Sequence, residues 1–115
     1  MTSREIAENV IHDIFFSCNI FEPYNTWANI AEPRVGQALE FSRKYGRSLS
    51  AVAAEILEQA NIISSEFKKN IETAISMELV NLASRKILND REVRSIKRIL
   101  SGQNATPIIE DDDWG

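Results

Sequence analysis

The sequence predicts an all-α fold: about five helices in a small irregular or orthogonal bundle, with a flexible acidic C-terminal tail. Three observations predict it. Apolar residues recur at steps of three and four through most of the chain. No stretch of useful length alternates apolar and polar residues as a strand would. Helix-capping residues punctuate the apolar runs. Residues 1–102 are expected to form one helical domain and residues 103–115 a disordered acidic tail.

In "TSREIAENVIHDIFFSC" the apolar positions are Ile6, Ala7, Val10, Ile11, Ile14, Phe15 and Cys18, one buried helical face. Thr2 and Glu5 have capping-box spacing, so the first helix is placed at 3–18. Residues 19–32 contain Pro23 and Asn25 and read as an ordered loop lying on the core. Within it, Trp27 either covers the helix ends or offers a partner an aromatic anchor. Pro33 suits a first helical position, which starts the second helix at 33 and runs it to 44. Gly46 follows where a left-handed cap is expected. Ser48 caps a third helix over 49–60, whose Ala51, Ala53 and Ala54 permit close approach of a neighbour. Ser64 or Ser65 opens a fourth helix with Phe67, Ile71, Ala74, Ile75, Leu79 and Leu82 on one stripe. Met77, Val80 and Ile87 fall off that stripe, so this helix is expected to be buried on two sides or interrupted near Ser76. Asn89 and Glu92 form a second capping box, and Gly102 stops the fifth helix. Pro107 and the loss of periodicity mark the tail.

Composition narrows the function classes. A chain of 115 residues with 43% hydrophobic and 26% charged residues is a single globular domain rather than a disordered segment. A net charge of −4 speaks against the whole molecule binding nucleic acid or anionic membranes. Residues 1–20 carry acids and lack a continuous apolar run, and no stretch suits a bilayer span, so a soluble cytoplasmic protein without a membrane partner is expected.

Catalysis by a nucleophile needs a base and an orienting group in reach. His12 is the single histidine, expected on the polar side of the first helix, and Cys18 on its apolar face. The two do not supply the four Cys or His ligands of a structural zinc site. The four glycines are dispersed, so no phosphate loop is present, and the acids Asp111–Asp113 lack calcium-loop spacing. The expectation is a protein that is not an enzyme, with no metal and no cofactor.

Charge is segregated along the chain. Residues 85–98 hold six basic and two acidic groups, a local +4, and residues 110–113 hold −4. Arg91, Arg94 and Arg98 share a face of the fifth helix, with Lys97 beside them, either a solvated face opposite Val93, Ile96 and Leu100 or a stripe that meets phosphates, an acidic partner or the chain's own tail. The end "IIEDDDWG" mixes Ile108, Ile109 and Trp114 with Asp111, Asp112 and Asp113. Acids speed encounter with a basic surface, and the apolar residues can then fill pockets. This end reads either as a partner-binding hook, with the neighbouring basic helix as a competitor for it, or as a plain disordered end.

Two segments carry a family resemblance. "FSRKYGRSLSAVAAEILEQANI" places an aromatic, a glycine, a helix-opening serine, alanines and an acid–amide pair before an apolar stop. "ISSEFKKNIETAISMELVNLASRKILN" follows with apolar helical steps. Together, residues 41–89 resemble the late-transcription coactivators of T-even-type bacteriophages. The resemblance implies a non-enzymatic adaptor whose body binds the flap of bacterial RNA polymerase and whose acidic-apolar C-terminus engages the phage sliding clamp. It implies a body surface around Leu57, Ile62 and Ile63 and a clamp hook from Ile108 to Trp114. Two other readings stay open. One is a small inhibitor or immunity-type protein acting through acidic surface mimicry. The other is a nucleic-acid-binding module using residues 91–98.

Overall fold

The computed structural model describes residues 1–101. They form five helices: α1 (Ser3–Ser17), α2 (Tyr24–Lys44), α3 (Leu49–Ile63), α4 (Ser65–Ser84) and α5 (Asp90–Leu100). No strand occurs among the described residues, and the all-α fold class expected from periodicity is the one observed.

The caps follow the sequence closely. Thr2 accepts from the Glu5 N–H at 3.1 Å, and Glu5 accepts from the Thr2 N–H at 2.9 Å. That backbone hydrogen bond holds the Glu5 carboxyl below its ordinary value. Ser64 ends α3 and also caps α4, accepting from the Phe67 N–H at 3.0 Å. Asn89 and Glu92 form the expected box at the start of α5. Gly46 has φ +69° at the end of α2, where the Arg47 N–H reaches the Ser42 carbonyl at 2.7 Å. The same paired turn ends α4, with Lys86 at φ 61° and the Ile87 N–H on the Leu82 carbonyl at 3.0 Å.

Three expectations are corrected. First, α2 starts at Tyr24 and runs through Pro33, which sits inside the helix rather than at its start. The reason is the inner face: Trp27, Ala31, Val35, Ala38, Leu39 and Ser42 are all buried, a periodic stripe that passes straight across the proline. Burial of that stripe outweighs the roughly 3 kcal/mol cost of an interior proline. Second, α4 is neither interrupted near Ser76 nor buried on two sides, since Met77 and Val80 stand exposed. Third, Cys18 is the cap residue just after α1 and is only partly buried. That burial still pushes its thiol pKa up.

The core is one cluster, with Ile14, Leu39, Ile56, Phe67, Ile71 and Ile75 among its largest fully buried side chains. α3 touches each of the other four helices. Its Ala53 and Ala60 are fully buried, which allows that central position, whereas Ala51 is exposed. A long-range pin fixes α5 to the end of α2: Arg43 Nη2 lies 2.6 and 2.7 Å from the two carboxylate oxygens of Glu92.

Candidate interaction surfaces

The first surface joins α1 to the end of α3. Glu8, Asn9, Ile11 and His12 border a depression with Gln59, Ile62 and Ile63. Ile62 is 71% exposed. One turn along α1, Phe16 is 73% exposed and packs edge-on against His12 at 5.0 Å and against Phe15 at 5.3 Å. Phe15, expected on the buried face of α1, is instead exposed because Ile11 and Ile14 already fill that face, and Ile63 is exposed as well. The helical stripe explains the arrangement. Ile6, Val10, Ile11 and Ile14 already fill the inner face of α1, so His12 and Phe16, one turn apart, are turned outward.

The second surface is the basic stripe of α5. Its inner side is held by Glu92, Ser95 and Ile96, all buried. Arg91, Arg94 and Lys97 are exposed, and none of the three makes a salt bridge among the described residues. Arg98 is half-buried and already engaged, so the exposed stripe is narrower than the sequence spacing predicts.

A third feature is a groove of about 350 Å³ between α1 and α2, bordered by Ile6, Val10, Ala38, Phe41 and Tyr45. The Asp13–Arg34 ion pair spans it.

At the seam of α2 and α4 lies an acidic contact. An ideal Cβ at Gly36 would fall 2.2 Å from Glu78 Oε1, so glycine makes room for that carboxylate. Burial, followed by the charges of Glu32 and Glu40, raises the pKa of Glu78, against the lowering effects of Asn81 and Arg85. The Tyr24 hydroxyl donates to Glu32 at 2.9 Å, and burial is the larger cause of its raised pKa. Among the described residues no cluster of His, Cys, Asp or Glu is placed to hold a metal ion, and no helix is long and apolar enough to cross a membrane.

The expected body interface divides in two. Ile62 and Ile63 are at the surface, but Leu57 is 5% exposed and Trp27 is 2% exposed, so neither is available to a partner. Leu57 belongs to the α3 stripe that faces the core. Trp27 is a core residue. It donates from Nε1 to the Glu22 carbonyl at 3.1 Å and lies 4.9 Å from Tyr24 and 5.8 Å from Phe67. The expected hook, Ile108, Ile109, Asp111, Asp112, Asp113 and Trp114, lies outside the described residues. The exposed Phe16, Met77 and Val80 form no part of the sequence-based site. Their signal was present as large apolar residues standing off a helical stripe. Comparison with family models, with curated proteins and with solved structures gives no match.

Proposed function

We propose that the protein is a non-catalytic, transcription-linked adaptor that holds one protein on the α1–α3 surface and another on the segment Ile108–Trp114. The observation that carries this reading is the exposed group Phe15, Phe16, Ile62 and Ile63. The core is filled without them. Contiguous large apolar side chains on a soluble surface mark sites where another surface is covered, and phenylalanine supplies much contact area per residue. The resemblance to phage late-transcription coactivators supports the bacterial RNA polymerase flap as the body's partner and the phage sliding clamp as the partner of the C-terminal segment.

The test is binding of purified protein to each partner separately. The double variant Phe16→Asp/Ile62→Asp is expected to lose polymerase and keep the clamp. Deletion of residues 107–115 is expected to do the reverse. Polymerase binding that survives the double variant removes the patch from the reading. Absence of both interactions in the unaltered protein removes the named partners.

A second reading has its own observation, the exposed Arg91, Arg94 and Lys97. Three such groups on phosphates predict a log–log salt slope of about −2 to −3 for duplex DNA. A flat salt response excludes it.

A further inference from the structure

Charge is unevenly shared among the helices. α1 and α3 together hold five acids, Glu5, Glu8, Asp13, Glu55 and Glu58, against the single cation Arg4. Cations gather instead at the α2–α3 and α4–α5 corners. Two ion pairs hold these corners side by side. Arg43 of α2 reaches Glu92 of α5 at 2.6 Å, and Arg85 after α4 reaches Glu40 of α2 at 3.2 Å. The paired residues are 49 and 45 positions apart in the chain. Lys44 and Arg47 are thereby brought beside Lys86 and Arg91. All four are exposed, and none makes a salt bridge among the described residues. Glu40 and Glu92 are occupied by Arg85 and Arg43, and Asp90 offsets one of the remaining cations. We propose that this double corner binds single-stranded nucleic acid. Phosphates lie on Lys44, Arg47, Lys86 and Arg91, and bases stack on Tyr45 and Phe41. The proposal rests on the second reading above and moves its centre from α5 to the end of α2.

Two of the cations stand against local preference. Lys86 holds a left-handed conformation at φ 61°, where the matching corner has Gly46 at φ 69°. Arg91 lies in the first turn of α5, where the helix dipole favours acids. Local rules are broken chiefly where function requires it, and an anionic ligand supplies that requirement at both positions. Lys44, at the end of α2, suits the dipole as well as the ligand.

The rings select the kind of anion. Phe41 is 49% exposed and Tyr45, one turn on, is 44% exposed. Lys44 Nζ lies 5.9 Å from the Phe41 ring centroid. Residues 41–47, "FSRKYGR", thus interleave open rings with cations, the combination that holds unpaired bases by stacking and their backbone by charge. A duplex keeps its bases stacked within itself. An acidic peptide brings charge without bases.

The experiment measures fluorescence anisotropy with labelled oligothymidylate and oligouridylate of twelve nucleotides, the matching duplex, and polyglutamate of equal length. Binding of either single strand supports the proposal, and the pair separates DNA from RNA. Four phosphate contacts predict a log–log salt slope of about −3. Lys44→Gln/Lys86→Gly should halve it, to about −1.5. Tyr45→Ala should weaken binding about fivefold or more and keep the slope. Lys86→Gly relieves the left-handed backbone, so binding lost there is not lost folding, and thermal melts check the other variants. No binding at low salt overturns the proposal. Tighter binding to the duplex overturns it too, as does equal affinity for polyglutamate, which assigns the corner to an acidic protein. Loss of binding in Arg91→Gln/Arg94→Gln, with none in the Lys44, Lys86 or Tyr45 variants, leaves the α5 reading standing and removes this one.

Discussion

Glu92 is a small hub, and its replacement gives a graded test of how α5 is held. Its carboxylate accepts from the Asn89 N–H at 3.0 Å, closing the capping box. The same group takes Arg43 Nη2 at 2.6 and 2.7 Å. Its side chain is 11% exposed, whereas that of Arg43 is 50% exposed. Glu92→Ala removes both roles. Loss of the cap contact costs about 1 kcal/mol. The ion pair, half open to solvent, adds about 0.5–1 kcal/mol after screening. A total near 2 kcal/mol lowers the melting temperature by about 8–16 °C in a domain of this size. Glu92→Gln keeps an oxygen for the Asn89 N–H and loses only the charge, so its cost is below about 1 kcal/mol. Arg43→Met should match Glu92→Gln, and the double variant should cost less than the sum. High salt should narrow the gap between the parent and Glu92→Gln, because that gap is electrostatic. The gap between Gln and Ala should persist. Thermal melts of the four proteins decide the matter. A Glu92→Ala melt within about 2 °C of the parent, or one equal to that of Glu92→Gln, refutes the assignment of roles.

Other outcomes follow from the same packing. Glu78 has a pKa raised above 4.5, so the folded chain holds a proton there that the unfolded chain releases. Stability through this group therefore falls as pH rises above about 4.5, and is fully present below it. Glu78→Gln should melt higher than the parent at pH 7 and equal to it near pH 4; the opposite order would show that Glu78 is stabilised as a carboxylate. Pro33→Ala should raise stability by about 1–3 kcal/mol, because it restores an α2 hydrogen bond and removes a ring clash; a lower denaturation midpoint would mean that the proline bend is needed for packing. Trp27→Ala should cost about 3–5 kcal/mol. Ile62→Asp should stay within about 0.5 kcal/mol of the parent, so urea titration separates the core residue from the surface one.

Helix identity was legible wherever one stripe and one cap agreed. Thr2–Glu5, Ser48, Ser64 and Asn89–Glu92 all cap as their spacing implies. The misplaced start of α2 has a clear cause, a local rule overruled by burial. Pro33 is a good helix opener by itself, but Trp27 and Ala31 lie before it on the same inner stripe. That stripe was visible in the sequence as Trp27, Ala31 and Val35, and Pro23 was the better opener. The candidate site was half legible. Ile62 and Ile63 follow Ala60, the last inward residue of α3, and turn outward. Leu57 shares the inner stripe with Ala53, Ile56 and Ala60, so its burial could have been read directly. The meeting of His12, and through it Phe16, with Ile62 and Ile63 around one depression was not legible. It depends on how α1 lies against α3, a tertiary contact that no local spacing encodes.

Lys86 gives the α4–α5 corner a different significance. It occupies the left-handed position that Gly46 fills at the α2–α3 corner. A side chain there costs roughly 1–2 kcal/mol that glycine avoids. The corner is therefore a built-in reserve of stability, open to Lys86→Gly without disturbing any buried contact. Such a substitution would also take one cation from the basic stretch of residues 85–98. Backbone comfort and surface charge compete for the same position, and in this chain the lysine holds it.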